Sequence, residues 1–263
     1  VYIFSMTVDG VAYASLIAES SIYIFIFYFV LKNNEFINKN VFIDSIYKIS
    51  SLKNKIIVNG NMFIRSIILM TCFASFMSFS ANYGEIVLAA NTILLNFFFI
   101  FSYGIDAFAH ASEVLVGNSV GEKNSSKYDL VVKSSFKFTY IVLILFLMVF
   151  LFFSSNIINV ITDHKEVITI ASENIIFLFL IVIFGSIAFC IDGILIGALQ
   201  HTTMRNIMIL SGLIYSISIL FISQENYVTI WYAFIAFFGA RSVFLLLSLK
   251  GIRRSIFGLK SYV

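Results

Sequence analysis

Proline is absent from this sequence of 263 residues, and charged side chains make up only 12% of it. Soluble domains carry about 25% charged and about 45–50% apolar residues. Here 60% of the residues are hydrophobic and 17% are aromatic, and the mean hydropathy is +0.98. These values exclude the soluble globular class and indicate an integral membrane protein.

The scarcity of cysteine and histidine excludes several kinds of site. Cys72 and Cys190 both lie in apolar stretches, so the sequence offers neither a disulfide framework nor a CxxC metal site. His110, His164 and His201 lie on different segments, and no Gly-rich phosphate loop, HExxH string or EF-hand loop occurs. The basic residues fall in short loops instead of on one helix face. We expect no enzyme activity, no metal, no cofactor and no nucleic-acid partner.

Long apolar runs dominate the chain. Backbone polar groups in the bilayer must be satisfied within their own segment, so runs of about 17–25 apolar residues form spanning helices. Seven runs occur, at residues 11–31, 62–80, 86–108, 136–153, 174–195, 207–222 and 228–249. The first lacks the basic flank and cleavage site of a removable signal peptide, so we expect it to stay in the membrane. We predict an all-α integral membrane protein with seven transmembrane helices.

The basic residues predict the orientation of these helices. Short loops rich in lysine and arginine stay in the cytoplasm. Fourteen of the 17 basic residues follow the first, third, fifth or seventh run, whereas the opposite loops hold only Lys165. We predict a multi-pass protein whose C-terminus is cytoplasmic and whose N-terminus lies outside.

The chain divides into four parts. Residues 1–31 form one lone helix, residues 61–249 a six-helix unit, and residues 250–263 a basic cytoplasmic tail. The segment 32–60 between the helical parts carries apolar residues at helical spacing among lysines: Phe42, Ile46, Ile49, Leu52 and Ile56. This pattern is typical of a helix lying flat on the cytoplasmic leaflet. A solvated linker is the alternative.

Ionisable side chains inside the runs are the functional candidates, because each costs about 2.5–3.5 kcal/mol near the bilayer centre. On the third helix, Asp106, His110 and Glu113 follow at i, i+4 and i+7 and share one stripe, with Asn91 nearer the outer side. A solvated helix end is the alternative for the two acids. Arg65 lies at comparable depth on the second helix, and a partly buried ion pair with Asp106, which would neutralise both side chains, is one structural interpretation.

Asp192 is the second acidic candidate. Arg241, near the middle of the last run, requires a carboxylate, carbonyl groups or water as its partner, and Asp192 is the closest candidate in depth. Gly193 and Gly197, four residues apart, favour close approach of a neighbouring helix. We expect the charge of Asp192 to follow proton or sodium occupancy, as an ion-coupled carrier requires. A static ion pair is the alternative reading.

Several strings, in order across nearly the whole chain, resemble the MATE (multidrug and toxic compound extrusion) transporters, in particular the DinF-like bacterial branch. They are GVAYASLIAE at 10–19, NMFIR at 61–65, LAANTILLN at 88–96, DAFAHASEVLVG at 106–117, IDGI at 191–194 and TMRN at 203–206, with Trp231 and Arg241. Two features depart from the family pattern. Ala107 stands where the family has glycine, and the tenth-helix proline is missing.

The resemblance implies a twelve-helix transporter with two six-helix lobes around a central cavity, in the bacterial cytoplasmic (inner) membrane. This chain would supply the last helix of lobe one and all of lobe two. The missing lobe would be present in cis or as a separate chain. Asp192 carries over most directly as an ion-coupling or cavity residue, followed by Asp106, Glu113 and Asn91. Arg65, Arg241 and Arg205 carry over as structural or charge-pairing residues.

We therefore expect part of a secondary active efflux antiporter, which exports small organic, often cationic compounds in exchange for protons or sodium. Two alternatives remain open. One is a truncated remnant or half-transporter that needs a partner lobe. The other is an exporter of lipid-linked sugars from the same superfamily, for which a more cationic cavity is expected.

Overall fold

The computed structural model describes residues 8–32, 49–221 and 226–258. Throughout these ranges the secondary structure is α-helical, with short connections between consecutive helices. The helices are α1 (Val8–Lys32), α2 (Ile49–Asn82), α3 (Glu85–Gly121), α4 (Ser125–Ile161), α5 (Lys165–Gly197), α6 (His201–Leu220) and α7 (Thr229–Phe257). The predicted all-α class is confirmed.

Six of these helices, α2 to α7, contain stretches long and apolar enough to cross a membrane. The apolar stretch of α1, Tyr13–Phe29, is shorter. The helices extend well beyond the apolar runs: α3 and α4 have 37 residues each, and at about 1.5 Å per residue they exceed a hydrocarbon core of about 30 Å. Hydropathy locates the membrane-embedded part of a helix, and capping locates its end.

The start of α4 illustrates this difference. The side chain of Asn124 accepts a hydrogen bond from the backbone N–H of Lys127 at 3.0 Å. This N-cap satisfies one of the free donors of the first turn. Consequently α4 begins at Ser125, eleven residues before the apolar run.

The chain forms two compact units, residues 1–57 and 58–263. In the first unit, α1 is an apolar helix with Lys32 in its last turn. The helix predicted to lie on the leaflet falls mostly at 33–48, outside the described residues. Its last part, from Ile49, is helical and forms the beginning of α2.

Within the second unit, α3 and α5 pack closely along their length. A Cβ atom added to Gly193 would lie 2.4 Å from the carbonyl oxygen of Ala109, and one added to Gly197 would lie 2.3 Å from that of Glu113. Only glycine permits such an approach of two backbones. The close helix contact predicted from these two glycines is confirmed, and its partner is α3.

Helix α2 is attached differently, because it is absent from the helix pairs whose backbones run close together. Its Phe76 ring lies 4.9 Å from the Trp231 ring and 4.7 Å from the Phe234 ring, both on α7. Ser75 donates a hydrogen bond to the Tyr215 hydroxyl on α6 at 2.9 Å. Side chains, rather than backbone contact, therefore hold α2 against the bundle.

Candidate functional site

Asp192 on α5 receives two guanidinium groups on one oxygen. Nη2 of Arg65, from α2, lies 2.5 Å from Oδ2, and Nη2 of Arg241, from α7, bonds the same atom. We call Asp192, Arg65 and Arg241 the triad. Three helices from separate parts of the chain meet in it.

The structure tests both predicted ion pairs. The pairing of Arg241 with Asp192 is confirmed. The pairing of Arg65 with Asp106 is wrong, because Arg65 bonds Asp192 instead. Depth along a helix is readable from sequence, but the direction in which a long arginine side chain extends depends on how neighbouring helices are rotated.

The two arginines differ in accessibility. The side chain of Arg241 is 1% exposed and that of Asp192 is 7% exposed, whereas that of Arg65 keeps 15%. The Arg241 guanidinium also lies 5.5 Å from the centre of the Phe189 ring, a cation–π distance. Arg241 is thus the fixed partner of Asp192, and Arg65 is the more accessible one.

Asp192 itself is held rigidly. It directly precedes Gly193, whose backbone lies against Ala109 of α3. The position of the carboxylate is therefore set by the closest helix contact in the second unit.

The triad contains two positive charges and one negative charge. Because arginine stays protonated in proteins, neither guanidinium can become neutral. Nε of Arg65 and Nη1 of Arg241 are buried and have no hydrogen-bond partner within the described part of the chain. The triad is therefore incompletely satisfied both in charge and in hydrogen bonds.

Asp106 lies close to the triad without joining it. It is half-buried and interacts electrostatically with His110, Asp192 and Arg65. It forms no hydrogen bond or ion pair within residues 8–32, 49–221 and 226–258. Asp106 is thus a second carboxylate beside Asp192 that has no fixed cation of its own.

Glu113 lies further along the same stripe of α3. Its Oε2 is 3.5 Å from Nδ1 of His110, whose side chain is 78% exposed. The predicted common face of the two residues is confirmed. The contact is the solvated surface pair that the alternative interpretation expected of this end of α3, and its exposure favours a minor role.

Asn91 has a different environment from the one predicted. It is fully buried, donates to the Ser80 hydroxyl at 2.9 Å and accepts from Nε1 of Trp231 at 3.2 Å. Both ends of its amide are used to join α2, α3 and α7, which favours a packing role over cavity lining. The sequence could not have revealed this, since both partners lie on other helices.

Arg205 joins two helices without a carboxylate. Its Nη1 donates to Oδ1 of Asn61 at 2.8 Å, and its Nε and Nη2 donate to Oδ1 of Asn206. Its predicted structural role agrees with these contacts. The partners are amides of α2 and α6.

Sequence reasoning missed a polar contact at the α2–α6 boundary. The Tyr215 hydroxyl donates to the carbonyl oxygen of Cys72 at 3.1 Å and accepts from Ser75. It lies in a groove of about 420 Å³ lined by both helices, with Thr71 and Gly212 among its walls. A tyrosine inside an apolar run was the available signal, because a buried tyrosine hydroxyl requires a partner.

No group of three or more histidine, cysteine or acidic side chains that could hold a metal ion occurs in the described ranges. The polar chemistry of the second unit is therefore that of charged pairs and neutral hydrogen bonds. Its most buried charges are those of the triad.

The MatE family model matches residues 62–223, more than half of the chain. The chain belongs to the MatE family. The matched range contains Arg65, Asp106, Glu113 and Asp192 and ends before Arg241. MatE proteins are transporters and not enzymes, in agreement with the expectation drawn from the sequence.

One curated relative supports this assignment to the MatE family. The chain is 26% identical over 179 residues to "DNA damage-inducible protein F" of Escherichia coli (strain K12). The alignment covers 68% of this chain and 39% of the relative, so the chain spans less than half of that protein's length. No solved structure matches the chain. The predicted MATE-type, DinF-like resemblance is confirmed.

Proposed function

We propose that this chain forms one lobe of a secondary active exporter that moves organic, often cationic compounds in exchange for protons or sodium. It would lie in a bacterial inner membrane with its C-terminus in the cytoplasm, and a first lobe would complete it. Membership of the MatE family and six helices suited to span a membrane support a transport role. The buried carboxylate of Asp192 supports the coupling to a cation.

The observation that carries the proposal is the unequal burial of the two arginines that bond Asp192. A carboxylate that binds and releases a cation in a membrane needs a substitute partner when the cation is absent, because an unpaired buried charge is costly. Arg65 supplies that partner at 2.5 Å. Arg241, almost completely buried, keeps the carboxylate oriented while Arg65 is displaced.

Displacement of Arg65 requires α2 to be separable from the rest of the bundle. The contacts that hold α2 are rings, hydroxyls, the hydrogen bond from Arg205 to Asn61 and the ion pair itself. Such side chains can form contacts with other partners when α2 shifts slightly. The backbone contact between α3 and α5 has no such alternative. A ligand shifts this equilibrium only by binding one arrangement better, and a cation on Asp192 favours the one without Arg65.

Asp106 gives the displaced Arg65 a new partner. It is half-buried, within electrostatic range of Arg65 and otherwise unpaired within the described residues. Movement of Arg65 from Asp192 to Asp106 gives each arginine a carboxylate of its own while the cation occupies Asp192. Protonation of Asp106 would return Arg65 to Asp192, so both acids take part in the exchange.

The test uses the full open reading frame that contains this sequence, expressed in everted membrane vesicles. Transport of the organic cation ethidium is followed under an imposed pH gradient and, separately, a sodium gradient. We expect Asp192→Asn to abolish gradient-dependent transport. Asp129→Asn is the matched control, because Asp129 also pairs with an arginine, at 2.7 Å from Arg253, but in an exposed position. Unchanged gradient-dependent transport in Asp192→Asn would contradict the coupling assignment.

Asp192→Asn leaves two buried guanidiniums without a carboxylate, which threatens folding. The double variant Asp192→Asn with Arg65→Gln removes one charge of each sign and keeps the net charge of the triad. We expect it to reach the membrane and to lack coupled transport. Coupled transport by the folded double variant would equally contradict the assignment.

A lipid-linked sugar exporter is the second candidate. The observation in its favour is the excess of guanidinium over carboxylate in the triad, which suits an anionic headgroup. The same vesicles distinguish the two, since this exporter would translocate a fluorescent lipid-linked pyrophosphate sugar and leave ethidium untouched.

A further inference from the structure

The surplus positive charge of the triad has no direct partner in the described chain. Both guanidiniums bond the same oxygen of Asp192, so their Nη2 atoms lie within about 6 Å of each other, since each hydrogen bond spans less than about 3 Å. Two like charges at this separation repel each other, and one carboxylate neutralises only one of them. Asp106 acts on the triad only at longer range, so no second negative group within the described residues contacts the two guanidiniums directly.

The unpaired donors mark where a second negative charge would bind. Nε of Arg65 and Nη1 of Arg241 are buried N–H groups without an acceptor, and the Arg241 side chain is 1% exposed. A buried donor left without an acceptor is destabilising. The acceptor must come from outside the described residues.

The nearby ionisable groups do not fill this role. Asp106 on α3 and His110 beside it interact with each other and with the triad only at longer range. Cys72 on α2 lies within electrostatic range of Arg241 but forms no hydrogen bond to it through its thiol. None of these groups contacts either unpaired donor.

The charge and burial of the triad also define the size of the missing partner. One excess charge is balanced by a monovalent anion, whereas a divalent anion would leave the triad negative. The side chains of Arg241 and Asp192 are 1% and 7% exposed, so a partner that reaches both guanidiniums must be compact. A halide accepts hydrogen bonds from several directions and suits donors on two different guanidiniums.

We propose that the triad is an anion-binding site that takes one small monovalent anion of the chloride class between Arg65 and Arg241. The anion makes the cluster of two arginines and Asp192 electrically neutral in the membrane interior. Binding links α2 to α7 through the anion as well as through Asp192. This site goes beyond the proposed transport function and does not depend on it.

The experiment measures thermal unfolding of the full open reading frame, purified in detergent, as chloride replaces gluconate at constant ionic strength. Ligands that bind the folded state raise its stability in a saturable way. We expect chloride, and equally bromide, to raise the unfolding midpoint with saturation, while gluconate has no effect. Equal midpoints in chloride and gluconate would mean that water satisfies the donors and would overturn the proposal.

Two variants change the surplus charge in opposite directions. Arg65→Gln leaves a neutral Asp192–Arg241 pair, and we expect the chloride-dependent increment to disappear. Asp192→Asn raises the surplus to two charges, and we expect chloride to bind at least about tenfold more tightly, a change of about 1.4 kcal/mol. An increment retained in Arg65→Gln would overturn the proposal.

Arg205→Gln is the matched control. Arg205 bonds only amide oxygens, of Asn61 and Asn206, so its replacement should keep the full chloride increment. Loss of the increment in this variant would show a nonspecific effect of surface arginines and overturn the proposal. Because the measurement involves no transport, a negative result leaves the coupling role of Asp192 to be judged by its own assay.

Discussion

The α3–α5 contact and the attachment of α2 place the members of the triad by opposite means. At Gly193 and Gly197 the backbones of α3 and α5 approach so closely that no side chain fits between them. Helix α2 reaches the bundle through Phe76, Ser75 and Arg65. The first interface is a direct contact of two backbones, and the second is made by side chains.

In the proposed exporter, this difference assigns the rigid part to α3 and α5. Asp192 lies on the fixed interface, and Arg241 lies on α7, which packs along α5 and α6. Arg65 lies on the exchangeable helix and retains twice the exposed fraction of Asp192. In the proposed mechanism Asp192 is the binding carboxylate and Arg65 is the group that moves, an arrangement suited to alternate occupancy.

The largest expected loss of stability comes from disrupting the α3–α5 contact. In Gly193→Ala the new Cβ would lie 2.4 Å from the carbonyl oxygen of Ala109, so α3 and α5 must separate. We expect the free energy of unfolding to fall by about 3 kcal/mol, the upper end for overpacking. Thermal unfolding in detergent measures this change. Gly239→Ala is the control, since its nearest neighbour would be Phe184 at 3.9 Å. Equal stability of the two variants would contradict the rigid contact.

The next largest effect is the difference in stability between variants of the two arginines. Arg241→Gln removes a charged hydrogen bond and a cation–π contact from a fully buried position, so we expect the free energy of unfolding to fall by about 2 kcal/mol. Arg65→Gln removes a more accessible partner, and we expect a loss below about 1 kcal/mol. Chemical denaturation of both variants checks the order. A larger loss for Arg65→Gln would reverse the assignment of fixed and exchangeable partner.

The smallest expected loss of stability comes from weakening the attachment of α2. Tyr215→Phe removes the hydroxyl that bonds Cys72 and Ser75. We expect the free energy of unfolding to fall by about 1 kcal/mol, typical of one buried hydrogen bond. Tyr227→Phe serves as the control, because its hydroxyl makes only a 3.5 Å contact with Glu173 in an exposed position. A null result for Tyr215→Phe in the same unfolding assay would mean that rings alone attach α2.

Much of the rigid interface could be predicted from the sequence, and little of the exchangeable one. Gly193 and Gly197 are four residues apart, a spacing that by itself predicts close helix packing. Arg241 could be matched to Asp192 because both are costly at similar depth. Arg65 was assigned to the wrong acid, since two carboxylates lie within its reach and only the rotation of α2 decides between them.

Asn91 shows the same limit for a neutral residue. The family resemblance implied a cavity position for Asn91, whereas in the structure its amide bonds Ser80 and Trp231 on other helices. Their distance in sequence hides this arrangement. Helix lengths were underestimated for a different reason, because polar ends such as that capped by Asn124 leave no hydropathy signal.

Distances between spin labels on α2, α3 and α7 test most directly whether α2 separates from a fixed Asp192 when a cation binds. Met70, Tyr103 and Leu247 are exposed sites on these helices, and the native Cys72 and Cys190 are buried. In the purified full reading frame, we predict that ethidium or sodium changes the distance between labels at Met70→Cys and Tyr103→Cys, while the distance between Tyr103→Cys and Leu247→Cys stays constant. Two unchanged distances, or two that change together, would contradict the account.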